Sequence, residues 1–137
     1  MTKQQMIDAL NEDLAQELRD IILYLNQSSL VVGLERLRVG GFLRKLIQDE
    51  LEDAQFLADK IVALGGVPTT TPAPMPEFKD LRAMLEYDLE NERKAIKRYT
   101  ERARQAEAFG DLGLKVKLEE IIADETEHAE EFEKLLR

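Results

Sequence analysis

Glu125 and His128 stand three residues apart in the stretch Asp124-Glu125-Thr126-Glu127-His128, and His128 is the only histidine among 137 residues. On a helix that spacing puts a carboxylate and an imidazole on one face, where both can hold one metal ion. The pattern returns at Asp49-Glu50-Leu51-Glu52-Asp53, with an aspartate in the histidine's place. Each copy has a partner segment upstream. Asp13-Leu14-Ala15-Gln16-Glu17 carries Tyr24 seven residues beyond its glutamate, and Asp88-Leu89-Glu90-Asn91-Glu92 carries Tyr99 at the same offset. Glu17 precedes Glu50 by 33 residues, and Glu92 precedes Glu125 by 33. Carboxylates and one imidazole in this pattern are ligands for hard or borderline cations.

Four helices must position these groups. Helix A is expected over residues 3–32, where Met6, Leu10, Leu14, Glu17, Ile21, Tyr24, Leu25 and Ser28 recur at steps of three and four. Gly33 breaks it, and residues 34–41 are ambiguous because Gly40-Gly41 is unfavourable within a helix. Helix B begins between 36 and 42 and runs to 64, with Phe42, Leu43, Leu46, Ile47, Glu50, Asp53, Ala54, Leu57, Ile61 and Leu64 inward. Gly65-Gly66 ends it. Residues 65–76 form one long loop that contains all four prolines. Twelve extended residues reach roughly 40 Å, enough to run the length of a helix of about 23 residues. Helix C is expected over 77–108, with Glu77 and Asp80 at its positive end and Leu81, Leu85, Asp88, Glu92, Ile96 and Tyr99 on one face. After the Gly110-Asp111 turn, helix D covers 112–135, with Leu114, Leu118, Ile121, Ile122, Glu125, His128, Phe132 and Leu135 inward.

The chain therefore reads as one helical hairpin written twice, A–B and C–D, joined by a proline-rich crossover. The expected architecture is all-α: an antiparallel four-helix bundle with a long B–C connection, residues 1–137 making a single domain. Two related hairpins packed about an approximate twofold axis bring Glu17, Glu50, Glu92 and Glu125 to one level. Buried carboxylates must be paired, protonated or bound to metal. Two metal ions meet that requirement. One glutamate from each of two helices, with a Glu-x-x-His pattern from each of the other two, is the donor set of di-iron carboxylate bundles.

On these residues the chain, from about residue 5 to 135, resembles the bacterioferritins and Dps-like proteins of the ferritin-like superfamily. The resemblance implies that Glu50 and Glu125 bridge two irons, that Glu17 and Glu92 are terminal ligands, and that His128 binds one iron through nitrogen. It implies a ferroxidase-type oxidoreductase that oxidises Fe(II) with oxygen or hydrogen peroxide, for iron storage, iron detoxification and protection from oxidative stress. Tyr24 and Tyr99 are expected to give their hydroxyls to ligating carboxylates. Asp13, Asp49, Asp88 and Asp124 are expected to orient ligands. Glu52, Glu127, Glu130 and Glu131 are assigned to a solvated face.

The chain departs from that family in four places. Asp53 occupies the position of the second histidine, which makes the site asymmetric, more negative, and open to manganese or mixed metals as well as two irons. Leu51 replaces the methionine that haem ligation needs, so haem is not expected. The sequence stops at Arg137 without a fifth helix, which leaves a 24-subunit shell, a 12-subunit shell or a dimer open. Without cysteine there is no rubredoxin-like electron-transfer segment. Two rival readings follow: a di-iron or di-manganese peroxidase that stores no mineral, and a non-catalytic metal-binding bundle.

Composition narrows the partners. The net charge is −9, which argues against a nucleic-acid partner and favours attraction of cations. The absence of cysteine excludes disulfides and thiolate metal sites. No signal peptide or membrane-spanning apolar run is visible, so a cytoplasmic location is expected, and the resemblance implies a homo-oligomer.

Overall fold

The computed structural model describes all 137 residues. It contains four long helices and no strand: α1 (Lys3–Leu30), α2 (Arg36–Ala63), α3 (Leu81–Phe109) and α4 (Leu112–Leu136). They form two compact units. One is the α1–α2 hairpin with the following loop, Lys3–Glu77; the other is the α3–α4 hairpin, Phe78–Arg137, together with Met1–Thr2. No helix is long and apolar enough to cross a membrane.

Helix ends follow local chemistry. Gly65 and Gly110 take the left-handed conformation, at φ 89° and 90°, which L side chains adopt only with strain. After each, a backbone bond reaches back to the last helical turn: Gly66 N–H to Ile61 O at 2.9 Å, and Asp111 N–H to Ala106 O at 3.0 Å. These are Schellman closures, which satisfy carbonyls that a helix end leaves open. Asp111 then caps α4, its side chain accepting from Leu114 N–H at 2.9 Å. A two-residue connection thus ends one helix and starts the next.

The start of α3 corrects the expected boundary. The helix begins at Leu81, not at residue 77. Asp80 is extended, with φ −158° and ψ 174°, and its carboxylate accepts from Ala83 N–H at 2.8 Å. Asp80 is therefore the N-cap, and Glu77 lies in the preceding loop. At the other corner α1 stops at Leu30, and Gly33 at φ 82° opens a short 3₁₀ turn, Gly33–Glu35. Gly40 and Gly41 lie inside α2 despite a helical cost of about 1 kcal/mol each. Gly40 is buried, and a Cβ there would make only ordinary contact with the Ser28 carbonyl oxygen, at 3.6 Å.

Each helix buries a seam at steps of three and four. In α1 the seam includes Met6, Leu10, Asp13, Leu14, Glu17, Asp20, Tyr24 and Gln27; in α2 it is Leu43, Leu46, Glu50, Ala54, Leu57 and Ile61. In α3 it includes Leu85, Asp88, Glu92, Ala95, Tyr99, Arg102 and Ala106; in α4, Leu114, Leu118, Ile121, Glu125, His128 and Phe132. Two expected inward residues are corrected. Leu25 and Leu135 are exposed, and Leu23 is buried in place of Leu25. Leu23 and Leu25 flank Tyr24 about 100° to either side, so periodicity alone favours neither.

The loop after α2 is strapped along α1. Gly66 sits so close to Ile7 that an added Cβ would meet its Cγ2 at 2.6 Å. Asn11 then binds the loop reciprocally, donating to Val67 O at 3.1 Å and accepting from Thr69 N–H at 2.8 Å. Ala73 N–H donates to Ala15 O at 2.9 Å, and Arg19 donates to Pro74 O at 3.4 Å. The anchors climb α1 from residue 7 to residue 19, so the segment runs along the helix as its length allows. Asn11→Ala should lower unfolding free energy by about 1 kcal/mol, read by chemical denaturation, with helix content unchanged.

Candidate metal centre

Both hairpins carry the same polar positions at the same depth. Glu17 and Glu92 are each 1% exposed, Asp13 and Asp88 are each 0%, Tyr24 and Tyr99 are each 0%, and Glu50 and Glu125 are 0% and 1%. Burial this complete rules out the reading of these carboxylates as an ordinary solvated face. Glu52, Glu127, Glu130 and Glu131 do form such a face. Of the four repeated aspartates only Asp13 and Asp88 are fully buried. Asp49 is half-buried and Asp124 is exposed, so Asp124 does not enter the buried cluster as expected.

Within the α1–α2 hairpin, one carboxylate oxygen each of Glu17, Glu50 and Asp53 lie within 4.8 Å of one another. Within the α3–α4 hairpin, ligand atoms of Glu92, Glu125 and His128 satisfy the same limit. The helices achieve this simply. Glu50 and Asp53, like Glu125 and His128, share a face through the three-residue step. The partner helix contributes one glutamate from its own seam.

The separation of His128 Nδ1 and Glu92 Oε1 is 3.8 Å. That is too long for a hydrogen bond. It is near the spacing of two donors that share an ion, each about 2.1 Å from it. The donor chemistry fits a metal as well. Carboxylate oxygens within 4.8 Å of one another repel strongly in a poorly solvated interior, and a divalent cation reverses the sign of that interaction. Asp53 is less deeply set than its counterpart: it is half-buried, whereas His128 is 8% exposed. Leu51, at the position expected for a haem-ligating methionine, points to the exposed side of α2 at 50% exposure.

Some buried polar residues were not singled out from the sequence. Arg19 and Asp20 form an ion pair at 2.6 Å although each is almost wholly buried. Arg19 also donates to Gln16 Oε1 at 2.7 Å. Neighbouring residues on a helix do not normally face each other, so spacing gives no warning of this pair. Arg102 on α3 is also buried and donates to Gln105 Oε1 at 2.6 Å. Its place three residues after Tyr99 on the buried face of α3 is the one sequence signal it offers.

Comparison with known proteins agrees with this geometry. The model of the ferritin-like domain matches residues 7–137. A bacterioferritin of Desulfovibrio desulfuricans is 26% identical over 134 residues, covering 97% of this chain and 75% of that protein. Among solved structures, a ferritin-like, diiron-carboxylate protein of Bacillus anthracis superposes with a TM-score of 0.97 at 43% identity, covering all of both chains. A bacterioferritin of Mycobacterium tuberculosis superposes at 0.89 with 28% identity, over 96% of this chain and 84% of that one. The fold is the ferritin-like four-helix bundle of these structures. The chain belongs to the ferritin-like family and is a homologue of bacterioferritin.

Proposed function

We propose that the two ligand triads act together as one dinuclear centre that binds two Fe(II) ions and oxidises them with oxygen or hydrogen peroxide. The observation that carries this is the matched convergence: Glu17, Glu50 and Asp53 in one hairpin, Glu92, Glu125 and His128 in the other, with the four glutamates at equal depth in a twice-written sequence. The likeness to a diiron-carboxylate structure over the full chain supports it. On this reading residues 1–137 work as a single domain, since neither hairpin alone supplies the full donor set.

The chemistry divides between metal and protein. Iron supplies the electrons: two Fe(II) become two Fe(III), and the electron pair with two protons converts oxygen to hydrogen peroxide, or peroxide to two waters. The protein supplies fixed charge. Glu17 and Glu50 would hold an ion in the first hairpin, and Glu92 and Glu125 would hold one in the second. His128 gives a neutral nitrogen and Asp53 an additional oxygen. Anionic ligands stabilise the ferric product more than the ferrous substrate, which favours the oxidation thermodynamically. Tyr24 donates its hydroxyl to a ligand carboxylate and so fixes its rotamer. The product serves iron detoxification or storage, according to the assembly that forms.

Assembly has its own support. Ile22, Leu25, Leu30, Val32, Leu34 and Leu37 all lie exposed on the α1–α2 hairpin, with Leu34 fully so and Leu37 at 88%. Such a concentration of large apolar side chains marks an interaction surface. A homo-oligomer covers it. Sedimentation velocity should give a mass that is a multiple of 15.7 kDa, and Leu34→Asp with Leu37→Asp should shift the protein towards smaller species. A monomeric wild type would contradict the assembly.

Aerobic Fe(II) titration tests the activity. Wild type should oxidise about two Fe(II) per chain faster than buffer, and Glu92→Ala should lower the initial rate by 10²-fold or more, as for loss of a group that acts on developing charge. Oxidation no faster than in buffer, or a Glu92→Ala variant as fast as wild type, would overturn the ferroxidase reading.

A further inference from the structure

The two triads correspond glutamate for glutamate and differ at one residue. Asp53 stands three residues after Glu50 on α2, and His128 three residues after Glu125 on α4. One position therefore offers carboxylate oxygen alone, while the other includes an imidazole nitrogen. From this difference we infer that the two metal positions are inequivalent: the His128 position retains borderline divalent ions, and the Asp53 position is an exchangeable site biased towards hard ions such as Mn²⁺. The inference rests on the dinuclear reading above and specifies which metal each half of it takes.

Three observations bear on it. The first is donor type. Imidazole adds affinity for Fe²⁺, Co²⁺ and Zn²⁺ in the usual order of divalent stabilities, whereas carboxylate oxygen discriminates much less and suits Mn²⁺. The second is charge. Glu17, Glu50 and Asp53 bring three anionic groups, and Glu92, Glu125 and His128 bring two anionic groups and a neutral one. Attraction at the first position is thus more purely coulombic, which favours hard cations over the covalent preferences of borderline ones. The third is access. His128 is 8% exposed and its two glutamates are each 1% exposed, while Asp53 is half-buried beside the fully buried Glu50. A ligand in contact with solvent can be hydrated and release its ion without opening the fold; a buried imidazole cannot.

Those features predict how mixed metals sort. A chain loaded with Mn²⁺ and titrated with Zn²⁺ should exchange first at the His128 position and only at much higher Zn²⁺ at the Asp53 position. The donor change is a change of ligand, so the two exchanges should lie at least about tenfold apart, the lower end of what outer partners of metal ligands contribute.

The test is equilibrium dialysis of the metal-free full chain against Mn²⁺ with increasing Zn²⁺. Both metals are counted per chain by elemental analysis, and bound Mn²⁺ is read by electron paramagnetic resonance. Wild type should show two exchange steps of about one ion each, separated by tenfold or more in the Zn²⁺ to Mn²⁺ ratio. Asp53→His should merge them at the lower ratio. His128→Asp should merge them at the higher ratio, and it provides the decisive comparison if Asp53→His fails to fold. A single step in wild type, or two steps that both variants leave in place, would overturn the inequivalence while leaving the dinuclear reading intact. If wild type bound neither ion, or bound both with Glu50→Gln and Glu125→Gln making no difference, the dinuclear reading itself would fall.

Discussion

Everything in this molecule is arranged around the cost of burying carboxylates. Glu17, Glu50, Glu92 and Glu125 are within 1% of complete burial. An ionised carboxylate in such surroundings is unfavourable by several kcal/mol unless an opposite charge or a proton offsets it. Bound cations would offset that cost, and the net charge of −9 favours their approach.

The fold serves this constraint economically. Helices fix side chains on a rigid scaffold, so a ligand pair needs only a three-residue step on one helix and a single glutamate on its neighbour. Using the same hairpin twice yields two such sets from one solution. The glycine closures at Gly65 and Gly110 set where α2 and α3 end. The strap from Gly66 to Pro74 fixes the crossover against α1 without contributing any ligand. Divergence between the copies is then visible against a constant background. Asp13 and Asp88, Glu17 and Glu92, and Tyr24 and Tyr99 match in type and depth, whereas Asp53 and His128 do not.

Much of this was legible in the residues. Four helices, the hairpin repeat and the long connection could be read because 3.6-residue periodicity and the 33-residue spacing leave a direct trace in the sequence, and the same spacing nominated the buried glutamates. What could not be read depended on finer geometry. Leu23 and Leu25 are equivalent to a periodic pattern, and only packing selected the former. Glu77 has the composition of a helix start, but Asp80 captured the cap through a bond to Ala83 N–H. The Arg19–Asp20 pair and the Asn11 clamp link residues that no spacing rule connects; the clamp joins residues 56 and 58 apart along the chain. Gly40-Gly41 left the start of the second helix ambiguous, because intrinsic propensity disfavours glycine where α2 in fact continues.

The central claim is that buried carboxylates, Glu50 foremost, are held in place for metal at the expense of the metal-free fold. Thermal unfolding in chelator and in excess divalent ion, for wild type and Glu50→Gln, tests it most directly. Saturating metal at about 100 times its dissociation constant should add about 2.7 kcal/mol to the stability of wild type for each site filled. Glu50→Gln should be at least as stable as wild type in chelator, since it removes a buried charge, and should lose most of the metal increment. A variant that is clearly less stable in chelator yet gains as much from metal as wild type would show that Glu50 serves the apo fold and not the metal.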